Sequence, residues 1–482
     1  MFNADTGGEH QESGEQNKLA ICTIIAKNYL SFARVLTDSF LEHNPGGKVF
    51  VLLVDKVDGY FDPHLEKFHL VTMDELGIPE MEQILFQYNV VEACTGLKPY
   101  FLDYLFNKYN LRKLAYFDPD ILITANLNEL AALLDEYSVI LTPHMLEPIP
   151  LNDQHKPREI DLLHVGTYNL GFIALAGNST ATKLLRWWHE RLSKMCVWID
   201  PSRVLFNDQK WIDLVPGYFD GVCILRDPGY NVAYWNLQSR RIESKEGRVT
   251  VNGRPLKFFH FSGFDPDNIN QISVYQNRFT LGKLKHLRPL FEEYRDRLLA
   301  NGYKETRDWP YAFGYFDNGI KIPDPVRKQF LSLGEKVLEF GNPFATQGRR
   351  CYFRWLAQPV EVMPDASPIT RFWYSIYQFR PDLKEAYPDV FGKDREAFLD
   401  WCAHMGRFEY NIDQVSLQPN TVVKRTIPKM RDYYWLVLAG IRVIRNEGWR
   451  SFWSKFKSWQ RQRLVERKRA KTRPPASDIA DD

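Results

Sequence analysis

The sequence has no two cysteines in a C-x-x-C spacing. Its six (Cys22, Cys94, Cys196, Cys223, Cys351 and Cys402) are scattered through 482 residues. That excludes a zinc ribbon, a thioredoxin-type motif and the disulfide framework of a small secreted scaffold. There is almost no net charge: 62 Lys and Arg stand against 60 Asp and Glu, +2 overall, so no global field draws the chain to nucleic acid. There is no long apolar run. The nearest, Tyr433 to Ile441, is about half of the roughly 20 residues that a membrane span needs. Met1 to Lys18 is polar and acidic, without the apolar stretch of a signal peptide, and is expected to be a disordered leader. Together these absences predict a protein of the reducing cytoplasm. Aromatic content of 14% and hydrophobic content of 44% exclude wholesale disorder, and the length leaves room for two domains.

What is present reads first as an α/β alternation. Leu19 to Ala26 is almost continuously apolar, as suits a strand buried on both faces of a parallel sheet. Phe32, Val35, Leu36, Phe40 and Leu41 form a helical stripe that Asn44-Pro-Gly-Gly47 ends. Val49 to Val54 is a second strand, so the three make a βαβ unit. A short strand is expected at 68–71, helices at 81–88, 99–108, 128–136 and 180–195, and strands at 113–117, 138–142 and 168–176. In sheets of this kind ligands bind beyond the carboxyl ends of the strands, where Asn28, Asp55 and Asp118 fall. Past residue 300 strand-like runs disappear, and helices are expected at 369–379, 394–405 and 433–444.

The sharpest chemical signal is Tyr116-Phe-Asp118-Pro-Asp120-Ile-Leu-Ile123. Two carboxylates two residues apart in extended backbone point to one side, and such hard oxygen ligands hold Mg²⁺ or Mn²⁺ together with a substrate phosphate. The pair is also readable as two solvated aspartates in a turn, but its place after one apolar strand and before Ile121-Leu-Ile123 favours the metal site. His260, closing the run Lys257-Phe-Phe-His260, could complete a site that favours Mn²⁺, or be a core histidine bonded to a carbonyl. Asn169-Leu-Gly171 places a glycine in a strand, which marks either the close approach of a ligand or an ordinary kink. Asn207-Asp208-Gln209 opens a helix, where Asn207 or Asp208 could be no more than an N-cap.

In this order the motifs resemble those of metal-dependent nucleotide-sugar glycosyltransferases with the GT-A fold. They are most similar to the retaining class of family 8, which includes glycogenin and bacterial lipopolysaccharide galactosyltransferases. The likeness spans residues 19–300 and rests on Asp118-Pro-Asp120, Asn169-Leu-Gly171, Asp208-Gln209 and His260-Phe-Ser-Gly263. Gly229-Tyr-Asn-Val-Ala-Tyr-Trp-Asn236 looks like a variant found in bacterial surface-polysaccharide transferases. The resemblance implies an α/β, GT-A (Rossmann-like) domain at 19–300, with an appended, mainly helical accessory region at 301–420. It implies that Asp118, Asp120 and His260 bind Mn²⁺ (or Mg²⁺). Asn28 and Tyr29 would hold uracil, Lys98 would sit near the donor's diphosphate, and Asp55 would be a further nucleotide contact. Asn169, Asp208 and Gln209 would line the sugar, with Gln209 beneath the anomeric carbon. Gly263 belongs to the H-x-x-G that meets the donor. Two departures stand out. Ala26 and Lys27 replace an acidic residue common before Asn-Tyr, and Pro266 stands where a diphosphate-holding lysine is common, so either another cation such as Lys98 or Arg278 supplies that charge or leaving-group stabilisation is weaker.

The expected function is transfer of a hexose from a UDP-sugar, with retention, to a cell-surface glycan or lipid-linked glycan. The rivals are a degenerate transferase acting as a glycan-binding scaffold and a haloacid-dehalogenase-type phosphatase. The latter wants Thr or Val where Leu122 stands. A nucleotidyltransferase would need a glycine-rich loop where Lys27-Asn-Tyr-Leu30 stands. Residues 421–482 are expected to form a basic amphipathic helix and disordered tail. Between 442 and 473 twelve Lys and Arg accompany only Glu447 and Glu466, with Trp449, Phe452, Trp453, Phe456 and Trp459 at helical spacing. That pattern suits an anionic membrane surface, which would make the protein peripheral on the inner face of the plasma membrane. It is also readable as a docked helix with a solvated basic face.

Overall fold

The computed structural model describes residues 18–197, 205–245, 248–348, 350–360, 368–410 and 412. The described residues divide into two compact units, the first ending at Phe353 and the second beginning at Arg354. The leader 1–17, the helix expected at 433–444 and the basic segment 442–473 lie outside the described residues.

The first unit is α/β, as its sequence predicts. Its strands are β1 (Ala20–Ile25), β2 (Val49–Leu53), β3 (His69–Thr72), β4 (Lys113–Phe117), β5 (Ile121–Ile123), β6 (Val139–Pro143), β7 (Tyr168–Ala176), β8 (Val222–Ile224), β9 (Val232–Ala233), β10 (Ile242–Lys245), β11 (Arg248–Val251), β12 (Arg254–Pro255) and β13 (Phe258–His260). The main sheet has the order β3-β2-β1-β4-β7-β6-β8. The neighbours β3, β2, β1 and β4 are parallel, whereas β7 is antiparallel to both β4 and β6. An apolar run reports burial, not direction, so the reversal at β7 was not readable from its sequence.

Alternate residues of each strand feed two cores. Cys22, Ile24, Phe50, Leu52, Leu114 and Tyr116 pack on one face. Ile21, Ile25, Val51, Leu53, Ala115 and Phe117 pack on the other. Burial on both faces is why these strands read as continuous apolar runs rather than alternating ones. Helix α1 (Leu30–His43) buries the stripe Leu30, Ala33, Val35, Leu36 and Phe40, and Gly46, at φ +76°, turns the chain into β2. Helix α2 (Lys98–Tyr109) ends at Asn110 in the left-handed region, a conformation that asparagine tolerates better than most residues. These elements deliver the ends of β1, β2 and β4 to one edge.

A second, three-stranded sheet has the order β5-β13-β9. Here β13 runs antiparallel to β5, with His260 opposite Ile121. Phe261 N–H donates to the Asp120 carbonyl at 2.9 Å and Thr124 N–H to that of Lys257 at 2.9 Å. This pairing brings residues 258–260 onto the 118–120 turn.

Residues 301–353 pack within the first unit, so its edge lies beyond the position 300 at which strand-like sequence ends. The buried Arg327 donates to the carbonyls of Leu85 (3.1 Å), Phe86 (2.8 Å), Tyr88 (2.9 Å) and Phe313 (2.6 Å). A guanidinium at the last carbonyls of the Met81–Gln87 helix satisfies groups that no helical N–H can reach. Phe316, Phe330, Phe344 and Tyr352 surround the Phe86 ring.

The second unit is helical among its described residues. It holds Arg371–Gln378, Pro381–Ala386 and Arg395–Trp401, the last running into a π-helical turn at Cys402–Gly406. The Thr370 hydroxyl caps the first of these. Phe372, Tyr377 and Phe398 are buried with Ile376, so these aromatics serve as core. Gly406 leaves room for the rings of Trp373 and Trp401, which a β-carbon there would crowd.

Candidate functional site

The turn between β4 and β5 is tight. Ile121 N–H donates to the Asp118 carbonyl at 3.3 Å, and Asp118 N–H to the Gly171 carbonyl at 2.7 Å. It leaves both carboxylates on the open edge of the sheet, facing the imidazole that β13 brings in. His260 Nε2 lies 3.0 Å from Asp120 Oδ1 and 3.8 Å from Asp118 Oδ2. One ligand atom from each of the three residues falls within 4.8 Å of the others. The imidazole is buried, while the carboxylates keep partial access to solvent.

The electrostatics follow from that crowding. Burial lowers the His260 pKa, but Asp120 and then Asp118 outweigh it, so the imidazole sits above its ordinary value. Partial burial raises Asp118; Lys98 and His260 pull it back, and Asp120 adds to the rise. Two carboxylates and one imidazole thus share a small volume. Two carboxylate oxygens and an imidazole nitrogen within 4.8 Å of one another fit a Mn²⁺ or Mg²⁺ ion in ligand type.

Gly171 explains the Asn-x-Gly motif. A β-carbon on it would overlap the His260 ring and crowd Asn169 Oδ1. Two residues away, the Asn169 amide is fixed from both ends. Its Oδ1 accepts from Gly171 N–H (3.2 Å) and Asn231 Nδ2 (3.0 Å), and its Nδ2 donates to Gln209 Oε1 at 3.3 Å. Gln209 Oε1 also accepts from Leu170 N–H (2.9 Å), and its Nε2 donates to the Val165 carbonyl (2.9 Å). Asp208 is buried against Lys98, whose Nζ lies 2.6 Å from Asp208 Oδ2 and 2.8 Å from the Leu170 carbonyl. The structure therefore brings Lys98, Asn169, Asp208 and Gln209 together, next to Asp118, Asp120 and His260.

The expected nucleotide contacts lie at the ends of β1 and β2. Asn28 and Tyr29 belong to the short helical turn Lys27–Tyr29 after β1. Tyr29 is 42% exposed and stacks on Phe32 at 4.7 Å, so one ring face is supported from below. Asp55 is occupied: its oxygens accept from the Lys27 backbone (3.2 Å) and Nζ (3.2 Å), Lys56 N–H (2.8 Å) and Ala312 N–H (2.9 Å). Gly263 has φ +68° and lies against Tyr275 and Ser273. Arg278, the other cation considered for a diphosphate, is tied to Asp153 (3.1 Å) and to the carbonyls of His155 and Pro157.

Sequence reasoning missed the residues behind the amide pair. Asn231, at φ +50°, also donates to Thr142 Oγ1 (2.9 Å), and Asn236 donates to the His144 and Asn231 carbonyls. His144 Nε2 lies 3.3 Å from Asn169 Nδ2. Burial lowers its pKa to about 4, so it is a neutral acceptor. The Gly229–Asn236 motif contained two of these residues, but nothing in it says that they turn inward. No helix among the described residues is long and apolar enough to cross a membrane.

No protein-family model matches the chain. Among curated proteins it is similar to the uncharacterised protein YfnF of Bacillus subtilis (strain 168), 29% identical over 264 residues that make up 52% of this chain and 84% of that one. Among solved structures it is similar to the glycosyltransferase GlyE of Streptococcus pneumoniae TIGR4, with a TM-score of 0.35 and 16% identity over 62% of this chain and 66% of that one. It is also similar to the galactosyltransferase LgtC in complex with donor and acceptor sugar analogues, with a TM-score of 0.37 and 14% identity over 58% and 95% of the two chains. Likenesses this distant carry no argument about activity.

Proposed function

We propose that the chain is a metal-dependent glycosyltransferase of the GT-A, family 8 type, which moves a sugar from a UDP-sugar with retention onto a cell-surface glycan acceptor. The observation that carries this reading is the convergence of Asp118 and Asp120, from one turn, with His260, from a strand far along the chain, beside an oriented Asn169–Gln209 amide pair. Asp118, Asp120 and His260 would hold Mn²⁺ or Mg²⁺. When bound, that ion supplies Lewis-acid stabilisation of a departing diphosphate.

The chain's own residues do the remaining work. Asn28 and the exposed face of Tyr29 hold the base, and Asp55 shapes that edge by holding Lys27. Gly263 lets the backbone come close to the diphosphate. Lys98 places an ammonium between the metal end and the sugar end, which suits charge developing on the leaving group. Asn169, Asp208 and Gln209 line the sugar. An amide is a poor nucleophile and the Gln209 oxygen already accepts two hydrogen bonds, so Gln209 orients rather than attacks. The acceptor then enters on the face from which the phosphate leaves. A lipid-linked acceptor fits the basic, aromatic segment 442–473, which would hold the protein on an anionic inner membrane face. No nucleic acid takes part.

The test is UDP release from a panel of UDP-sugars, with Mn²⁺ or with EDTA, for the wild type and Asp120→Ala. Turnover of one donor that EDTA and Asp120→Ala both abolish is the expected result. Absence of both turnover and metal-dependent UDP binding in the wild type would sink the reading.

A further inference from the structure

Tyr116 stands two residues before Asp118 at the end of β4, and strand alternation sends both side chains to the same side. Its phenol donates to Asp118 Oδ1 at 2.8 Å. The residue is 3% exposed, and the Lys98 ammonium lies over its ring, 4.2 Å from the centroid, an attractive cation–π placement. Lys98 cannot drift from there, because Asp208 Oδ2 and the Leu170 carbonyl both hold its Nζ. The Asp118 oxygen that Tyr116 leaves free, Oδ2, is the one that lies 3.8 Å from His260 Nε2.

We propose that Tyr116 is a positioning residue for the metal site: it engages Asp118 Oδ1 and so presents Oδ2 to the space shared with Asp120 and His260. Lys98 holds the ring in place, which links the sugar-side carboxylate Asp208 to the metal-side carboxylate Asp118. The inference rests on the metal reading above. Partners that orient a ligating carboxylate typically change metal affinity by about 10–100-fold. The hydrogen bond sets direction here, because an aspartate at a partly open turn otherwise rotates freely about its last torsion.

The experiment titrates Mn²⁺ alone into the full chain and reads free and bound ion by electron paramagnetic resonance. Tyr116→Phe should bind about 10–100-fold more weakly, with a changed spectrum of the bound ion. A shape-matched pair separates hydrogen bonding from packing: 4-aminophenylalanine at 116 restores a donor, and 4-fluorophenylalanine does not. The amino variant should bind like the wild type and the fluoro variant like Tyr116→Phe. Equal affinity and equal spectra for that pair overturn the inference, even if Tyr116→Phe does not fold. If the wild type binds Mn²⁺ and the variants match it, only the role of Tyr116 falls. If the wild type binds none, the metal reading falls and takes this role with it.

Discussion

Lys27 and Lys98 are each 1% exposed, a placement that costs an ammonium several kcal/mol of lost hydration unless partners replace the water. Lys27 finds Asp55, the Lys56 carbonyl and Asp58; Lys98 finds Asp208 and the Leu170 carbonyl. Removing one member of such a pair strands the other, at a cost of about 3–5 kcal/mol. Activity measured on a Lys98 or Asp55 variant therefore needs a stability measurement beside it. His144 makes the opposite choice and stays neutral. Its pKa falls from 6.5 to about 4 on folding, so the unfolded chain takes up a proton before the folded one does. Stability is thus unaffected by this group above pH 6.5 and declines as pH drops toward 4, by about 2 kcal/mol at pH 5. His144→Gln keeps an acceptor but does not titrate. Its urea midpoint should fall less between pH 7.5 and pH 5 than that of the wild type, and parallel declines would show that His144 does not carry the effect.

At the scale of elements, the site depends on β13 reaching the 118–120 turn while β7 passes beneath the imidazole without a side chain in the way. Gly171→Ala tests that arrangement. The added methyl must displace His260, and such overpacking costs about 1–3 kcal/mol. If the ring then leaves Asp120, Mn²⁺ affinity measured by calorimetry should fall at least ~10-fold, the lower end for disturbed ligand orientation. Unchanged affinity would mean that the imidazole is not placed by this contact. The element pattern also shows what could be read in advance. Strand β4 and helix 128–136 have the bounds that their apolar patterns predict, because each is flanked by polar or turn residues. Helix Glu159–Val165 was not foreseen. It is seven residues long and buries none of them, a run too short for Ile160, Leu162, Leu163 and Val165 to establish a helical period. The hairpin of β10 and β11 was missed as well, because β10 has only Ile242 as an apolar residue.

At the scale of the molecule, the edge of the first unit is set by contacts that no composition shift marks. The chain loses its strand-like runs near residue 300, yet Arg327 closes the carbonyls of 85–88 and Phe330 packs on Phe86. A chain ended after Phe353 should unfold in one cooperative transition with near-ultraviolet dichroism intact. A chain ended after Ala300, stripped of the Arg327 bonds and the aromatic cover of Phe86, should lose that signal. A cooperative, native-like 1–300 fragment would show that residues 301–353 are an appendage. By itself the sequence determined the α/β class, the burial of the strands and the presence of a D-x-D turn at the end of β4, because these depend on local periodicity and on turn residues. It also offered His260, Asn169, Asp208 and Gln209 as candidates. Tertiary structure alone decided that β7 runs antiparallel, that Asp55 is spent on Lys27, and that Gly171 and Tyr116 serve their neighbours His260 and Asp118. Those outcomes depend on distances between residues far apart in the chain, or on where a side chain points once packed, and neither leaves a periodic trace in the sequence.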